Sequence, residues 1–245
     1  MFIPQLVRKI LLEYSQKGDT VLDIFSGSGS ALVESLVTGR KGIGIELNPL
    51  AVLISQVKTT AIAGETLKNR YLKLLEKLYE EKKSNRNYIF KNIDFWFSPE
   101  IIEYFSHILN CIQTEENEDI RNAFSVCFSD IVRFFSRCKH SGFKLHRDKA
   151  KEKQKVQFDE VIQKFHQSFL VLYQGINELN HIGDFSRPFI IKGDSRIYQN
   201  QIPEHSVDLI ITSPPYGDSR TTVAYGQFSR LSSQWLGLLD SPDSI

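Results

Sequence analysis

Apolar residues follow two rhythms along this chain. Near the start and again near the end they form short continuous runs, at residues 20–25, 41–46, 189–192 and 207–212. Runs of this length, bounded by Gly, Asn or Asp, read as strands buried on both faces, as a parallel sheet needs. Helical patterns follow the first run (residues 30–38) and the second (residues 50–58), so the opening is a βαβα series and predicts an α/β fold with a Rossmann-like, doubly wound sheet. Helices are also expected at the N-terminus, where Leu6, Val7, Ile10 and Leu11 share one face, and over residues 227–239.

From residue 60 to residue 185 the second rhythm takes over. Leu67, Tyr71, Leu74, Leu75 and Leu78 recur at helical spacing, as do Ile101, Ile102, Phe105, Ile108 and Leu109, then Ile120, Phe124, Phe128, Ile131 and Phe135, and finally Val161, Ile162, Phe165, Phe169, Leu172 and Tyr173. Such stripes are core faces. The expected organisation is therefore a catalytic sheet domain from residues 1–60 and 185–245, with a helical insertion at 61–184. Trp96 and Phe97, just before Pro99, are expected to fasten the insertion to the sheet.

Composition adds limits. A chain of 245 residues with 41% hydrophobic content can bury a sizeable core. It has no apolar run of about 18 residues and no signal-peptide pattern, so a cytoplasmic protein without membrane association is expected. Cys111, Cys127 and Cys138 lie in helical or basic segments and suggest no disulfide framework. Neither they nor His140 and His146 show metal-site spacing, so no metal is expected. The net charge of +1 conceals one basic stretch, residues 139–155, where seven Lys or Arg stand against two acids. That stretch suits either nucleic-acid phosphates or plain solvation.

The chemistry concentrates at the strand ends. The first strand runs into Asp23-Ile24-Phe25-Ser26-Gly27-Ser28-Gly29. A dinucleotide loop would carry a third glycine where this chain has Leu32, and a phosphate loop would close on Gly-Lys-Ser/Thr, which is absent. What remains is an acid followed by small residues that let backbone approach a bulky ligand without a phosphate. The second strand ends in Glu46, the position at which a doubly wound fold holds a ribose diol. Asn48-Pro49 then starts a helix.

These segments, with Thr212-Ser213-Pro214-Pro215-Tyr216 near the end, resemble the S-adenosylmethionine-dependent DNA methyltransferases that modify exocyclic amines, in their Ser-Pro-Pro-Tyr, N4-cytosine-like branch. The resemblance covers roughly residues 1–60 and 185–230. It implies that the loop of Asp23, Phe25, Gly27 and Gly29 wraps the methionine end of S-adenosyl-L-methionine, that Glu46 binds its ribose and Asp194 its adenine, and that Phe2 closes over it. It also implies a flipped base held by Ser213, Pro214, Pro215 and Tyr216 in double-stranded DNA, as in a restriction-modification system.

The residues support that chemistry directly. Two consecutive prolines fix φ and restrict the preceding residue, so the carbonyls after the fourth strand point in set directions. An exocyclic amine is a poor nucleophile because its lone pair is delocalised into the ring. Rigid acceptors such as the Ser213 hydroxyl and the Pro214 carbonyl favour its pyramidal form, and Tyr216 offers a flat face for an extruded base. A hydroxyl accepts from either amine, so N6-adenine in DNA or RNA stays open beside N4-cytosine. So does a non-catalytic, cofactor-binding half of a split enzyme. Arg220, Lys144 and Arg147 are the expected phosphate contacts. Only 29 residues follow Tyr216, and an uncovered fourth strand would expose a sheet edge. A second chain or a second copy is expected to complete the sheet.

Overall fold

The computed structural model describes residues 3–80, 88–139, 145–182, 186–213 and 225–239. Among them the sheet has four parallel strands, β1 (Thr20–Asp23), β2 (Lys41–Glu46), β3 (Phe189–Lys192) and β4 (Leu209–Ile210), in the order β3-β2-β1-β4. The helices are α1 (Pro4–Tyr14), α2 (Ser30–Val37), α3 (Pro49–Lys58), α4 (Gly64–Glu80), α5 (Ile93–Trp96), α6 (Pro99–Gln113), α7 (Glu118–Phe135), α8 (Phe158–Asn180), α9 (Ser195–Tyr198) and α10 (Tyr225–Trp235). The chain forms two compact units. One comprises residues 1–62 and 175–217, the other residues 63–174 and 218–245. The α/β sheet architecture expected from the apolar runs is present.

Two expected strands are shorter than their apolar runs. β1 stops at Asp23 because its carboxylate turns back to accept from the Phe25 amide at 3.0 Å, an Asx turn that diverts the chain out of the ladder. β4 is assigned only two residues, yet its pairing to β1 extends beyond them: Asp208 accepts from Thr20 N through its carboxylate at 2.8 Å, and Ile211 N donates to Leu22 O at 2.9 Å. α1 begins earlier than its apolar stripe because Pro4 occupies the first turn, where its missing N–H has no cost.

Alternation along β1 sends Val21 and Leu22 to opposite faces of the sheet. Val21 packs with Val7, Leu11, Ala31 and Ile211, and Leu22 packs with Ile45 and Ile191. α1 is bound to α2 by the Arg8–Glu34 ion pair at 2.7 Å. Buried Arg40 adds bonds to the Ser15 hydroxyl and to the carbonyls of Leu11 and Ser15, which satisfy the end of α1.

The helical unit has an aromatic core of its own. Trp235 of α10 is fully enclosed, with Phe90, Phe97, Phe105 and Phe128 at ring separations of 5.4–6.2 Å. Tyr71 of α4 stacks on Phe169 of α8 at 3.6 Å. Phe97, expected to fasten the helices to the sheet, instead fills this core: Phe90, Phe105 and Trp235 all belong to the helical unit. No helix among the described residues is long and apolar enough to cross a membrane.

Candidate active site

The first three strands step from β1 to β2 to β3 in one direction, and the chain then returns so that β4 lies on the other side of β1. The carboxyl ends of β1 and β4 therefore flank the switch point of the sheet, where open α/β folds bind ligands. Asp23 at the end of β1 and Thr212-Ser213 after β4 come to this edge from opposite ends of the chain.

The glycine loop between β1 and α2 is shaped from outside itself. Gly27 and Gly29 hold φ values of +53° and +80°, a region that side-chain-bearing residues avoid. Gly27 N donates to Glu46 Oε2 at 2.8 Å, and Asn48 N donates to Glu46 Oε1 at 2.7 Å. Glu46 thus ties the loop to the end of β2. This role carries no signature in a linear motif. A carboxylate has about four acceptor sites, so two amides leave room for a ribose diol. A second constraint comes from below: a Cβ on Gly29 would run into the Ser55 hydroxyl and stand 3.0 Å from Ser55 Cβ.

Asp23 is 2% exposed. Burial pushes its carboxyl up to about 6; the Phe25 amide opposes this, as does the Thr212 hydroxyl, and the charge of Glu46 adds to it. Thr212 Oγ1 is buried and outside hydrogen-bond geometry, but near enough to ease the carboxylate's charge. Between about pH 4 and pH 6 the native state keeps a proton that the unfolded chain has lost, so this group makes stability fall as pH rises through that window. By linkage the full loss is about 3 kcal/mol, complete above about pH 6. Asp23→Asn is expected to gain stability relative to wild type across this window and to level off above it. Urea unfolding at pH 4.5, 5.5 and 6.5 measures this, and a difference independent of pH would refute the assignment.

The remaining expected site residues fall out as follows. Phe25 is 46% exposed beside the loop. Asp194, just after β3, is gripped by Arg196, whose Nη2 lies 2.6 Å from Oδ2 and whose amide donates to Oδ1 at 2.9 Å. Arg196 holds that carboxyl down to about 2. Ser213 is half-buried after β4. Phe2, Lys144, Pro214, Pro215, Tyr216 and Arg220 lie outside the described residues.

In the helical unit, Cys138, just before the basic stretch, forms an antiparallel bridge with Arg147 within it. Lys139 N donates to His146 O at 2.8 Å and Asp148 N to Arg137 O at 2.7 Å. Arg147 lies 4.4 Å over the Phe95 ring and pairs with Glu152 at 3.0 Å. A stacked guanidinium keeps its in-plane donors, which suit phosphate oxygens.

Comparison with known proteins bears on the same residues. Residues 3–57, which contain β1, the glycine loop, β2 and α3, match the N6/N4 family described as DNA methylase. The type II methyltransferase M.MvaI of Kocuria varians is 37% identical over 256 aligned residues, covering 97% of this chain and 56% of that protein. The chain is similar to the N6/N4 DNA methylases over these residues. M.MjaII of Methanocaldococcus jannaschii is 39% identical over 83 residues, 34% of this chain and 16% of its own, and M.BamHI of Bacillus amyloliquefaciens is 37% identical over 78 residues, 32% and 16% respectively. The chain spans little more than half the length of M.MvaI and a smaller share of the others. The family's methyl donor is S-adenosylmethionine, and the residues present fit that molecule. The glycine turns allow backbone to approach its amino-acid portion, and Glu46 retains acceptor capacity for its ribose.

Proposed function

We propose that the chain is the catalytic portion of a site-specific DNA methyltransferase that transfers a methyl group to N4 of a flipped cytosine in double-stranded DNA, within a type II restriction-modification system. The observation that supports this reading is the adjacency of the β1 and β4 ends, which brings Thr212 near Asp23 at the start of the glycine loop, with Ser213 the next residue. Phe2, Asp23, Phe25, Gly27, Gly29, Glu46 and Asp194 make up the cofactor side. Ser213, Pro214, Pro215 and Tyr216 make up the base side.

When bound, the cofactor supplies an electrophilic methyl group on its sulfonium. The chain's own part is positioning and charge. The Ser213 hydroxyl and Pro214 carbonyl accept the amine's hydrogen bonds and turn its lone pair out of the ring plane. Tyr216 stacks on the base. The amine proton leaves to an acceptor of the Ser-Pro-Pro-Tyr loop or to water. Lys144, Arg147 and Arg220 hold phosphates, and the helical segment 61–184 carries the first two of them to DNA.

The test is incubation of the purified chain with labelled S-adenosylmethionine and mixed-sequence duplex DNA, followed by digestion to nucleosides and mass spectrometry. N4-methylcytosine is the expected product. N6-methyladenine would overturn the choice of base while leaving the reaction class intact, and product on RNA alone would overturn the choice of nucleic acid. Cofactor binding without any product would favour a non-catalytic half that works with another chain.

A further inference from the structure

α3 turns two polar residues toward the glycine loop. Ser55 and Lys58, three positions apart, share one helical face. Ser55 is fully buried against Gly29, and its hydroxyl has no hydrogen-bond partner. Lys58, in the last turn of α3, reaches across and donates from Nζ to the carbonyl of Ser28 at 3.2 Å.

The other ties on this loop run elsewhere. Glu46 holds Gly27 N, Ile45 O accepts from Ser26 N at 3.1 Å, and Ser26 O accepts from Gly29 N at 2.9 Å. The Ser28 carbonyl lies at the crest of the turn, between the two glycines with positive φ, where the backbone is easiest to rotate. An ammonium bonded there sets the orientation of the Ser28–Gly29 peptide. It also places positive charge at the loop of a site that holds two carboxyl groups, Asp23 and Glu46. The lysine is partly desolvated in doing so, and burial lowers its proton affinity, which is a cost that a solvated helix-end lysine would not bear.

We propose that Lys58 is a positioning residue that clamps the crest of the glycine loop in the shape needed to receive the amino-acid end of the cofactor. This rests on the reading of the loop as the cofactor site. The clamp acts through the Ser28 carbonyl, so it matters for a ligand that extends its amino-acid chain along the loop and not for one that lacks that chain.

The experiment is calorimetric titration of the full chain with two probes, S-adenosylhomocysteine, which carries the amino-acid end, and 5′-methylthioadenosine, which lacks it. Lys58→Met is expected to weaken S-adenosylhomocysteine about ten- to a hundredfold, the range for losing a charged hydrogen bond, and to leave 5′-methylthioadenosine within about twofold of wild type. Lys58→Arg, which keeps charge and donors, is expected to recover most of the loss. Lys58→Gln replaces the methionine variant if the latter does not fold. Equal weakening of both probes, or of neither, overturns the proposal, because a purely structural lysine would not separate them. A wild-type chain that binds neither probe overturns the cofactor reading itself, and the clamp with it.

Discussion

Ser213→Ala is expected to slow methyl transfer by about a hundred- to a thousandfold, the usual consequence of removing one fixed hydrogen-bonding group from a developing transition state. Ser213 follows β4, whose partner is β1, and the next two residues in the sequence are prolines, whose φ is fixed by their rings. In the proposed role, a group held that way would organise the amine without a further ordering cost during the reaction. Because the role is in the chemical step, the cofactor dissociation constant should stay within about twofold of wild type while single-turnover rates on duplex DNA collapse. Loss of affinity with an unchanged rate would place Ser213 in binding and remove it from catalysis.

Gly29→Ala is expected to destabilise the sheet unit by about 2–5 kcal/mol, from two sources. Holding alanine at the +80° φ of Gly29 costs about 1–2 kcal/mol, and forcing a methyl against Ser55 adds about 1–3 kcal/mol of overpacking. The neighbour cannot yield easily, because Ser55 Cβ and its backbone Cα would stand 3.0 and 3.2 Å from the new atom. Gly18 separates the two costs. Its φ is +92° but nothing lies within 4 Å of a Cβ there, so Gly18→Ala should show only the conformational part. Adding Ser55→Gly to Gly29→Ala should recover most of the packing part, leaving the conformational part and the roughly 0.5–1 kcal/mol that a glycine costs inside α3. Urea unfolding of the four chains measures all of this. Equal effects at Gly18 and Gly29 would show that the contact with Ser55 is not tight. Because Gly29 lies in the loop proposed to receive the cofactor, the alanine variant is expected to lose S-adenosylhomocysteine binding as well.

Locally encoded features were legible in the sequence. β2 and β3 occupy the expected residues, and α2 and α3 lie within about a residue of theirs. In each, a short apolar run or a helical stripe is bounded by a residue with its own conformational rule: Asn48 caps α3 through its side chain at 3.1 Å, and Pro49 opens it. The four long helices of the helical unit follow from the spacing of Tyr71, Phe105, Phe128 and Phe165, all of them deeply buried. The glycine loop and the acid ending β2 could be named from spacing because sterics at a turn and the end of a strand are properties of a few consecutive residues.

What the tertiary structure decided is which of these pieces meet. Nothing near Asp208 specifies that its carboxylate accepts from Thr20, 188 positions away, yet that pairing puts β4 beside β1 and brings Ser213 to the edge where Asp23 lies. Glu46 read as a ligand acceptor in the sequence, while the fold also makes it the tie for Gly27 and Asn48. Asp194 read as a turn or ligand residue, and its carboxylate is taken up by Arg196. Lys58 gave no signal, since a lysine in a helix's last turn is ordinarily solvated or interacts with the helix dipole. α10 has an amphipathic pattern that suits any apolar surface, and Trp235 found its partners only in the aromatic core of the helical unit. The chain itself determined its secondary structure and its list of chemically able residues, because those depend on neighbours a few positions away. Which carboxylate meets which amide, and which residues after β4 reach the end of β1, depends on contacts between residues distant in sequence, and these exist only once the sheet has been assembled.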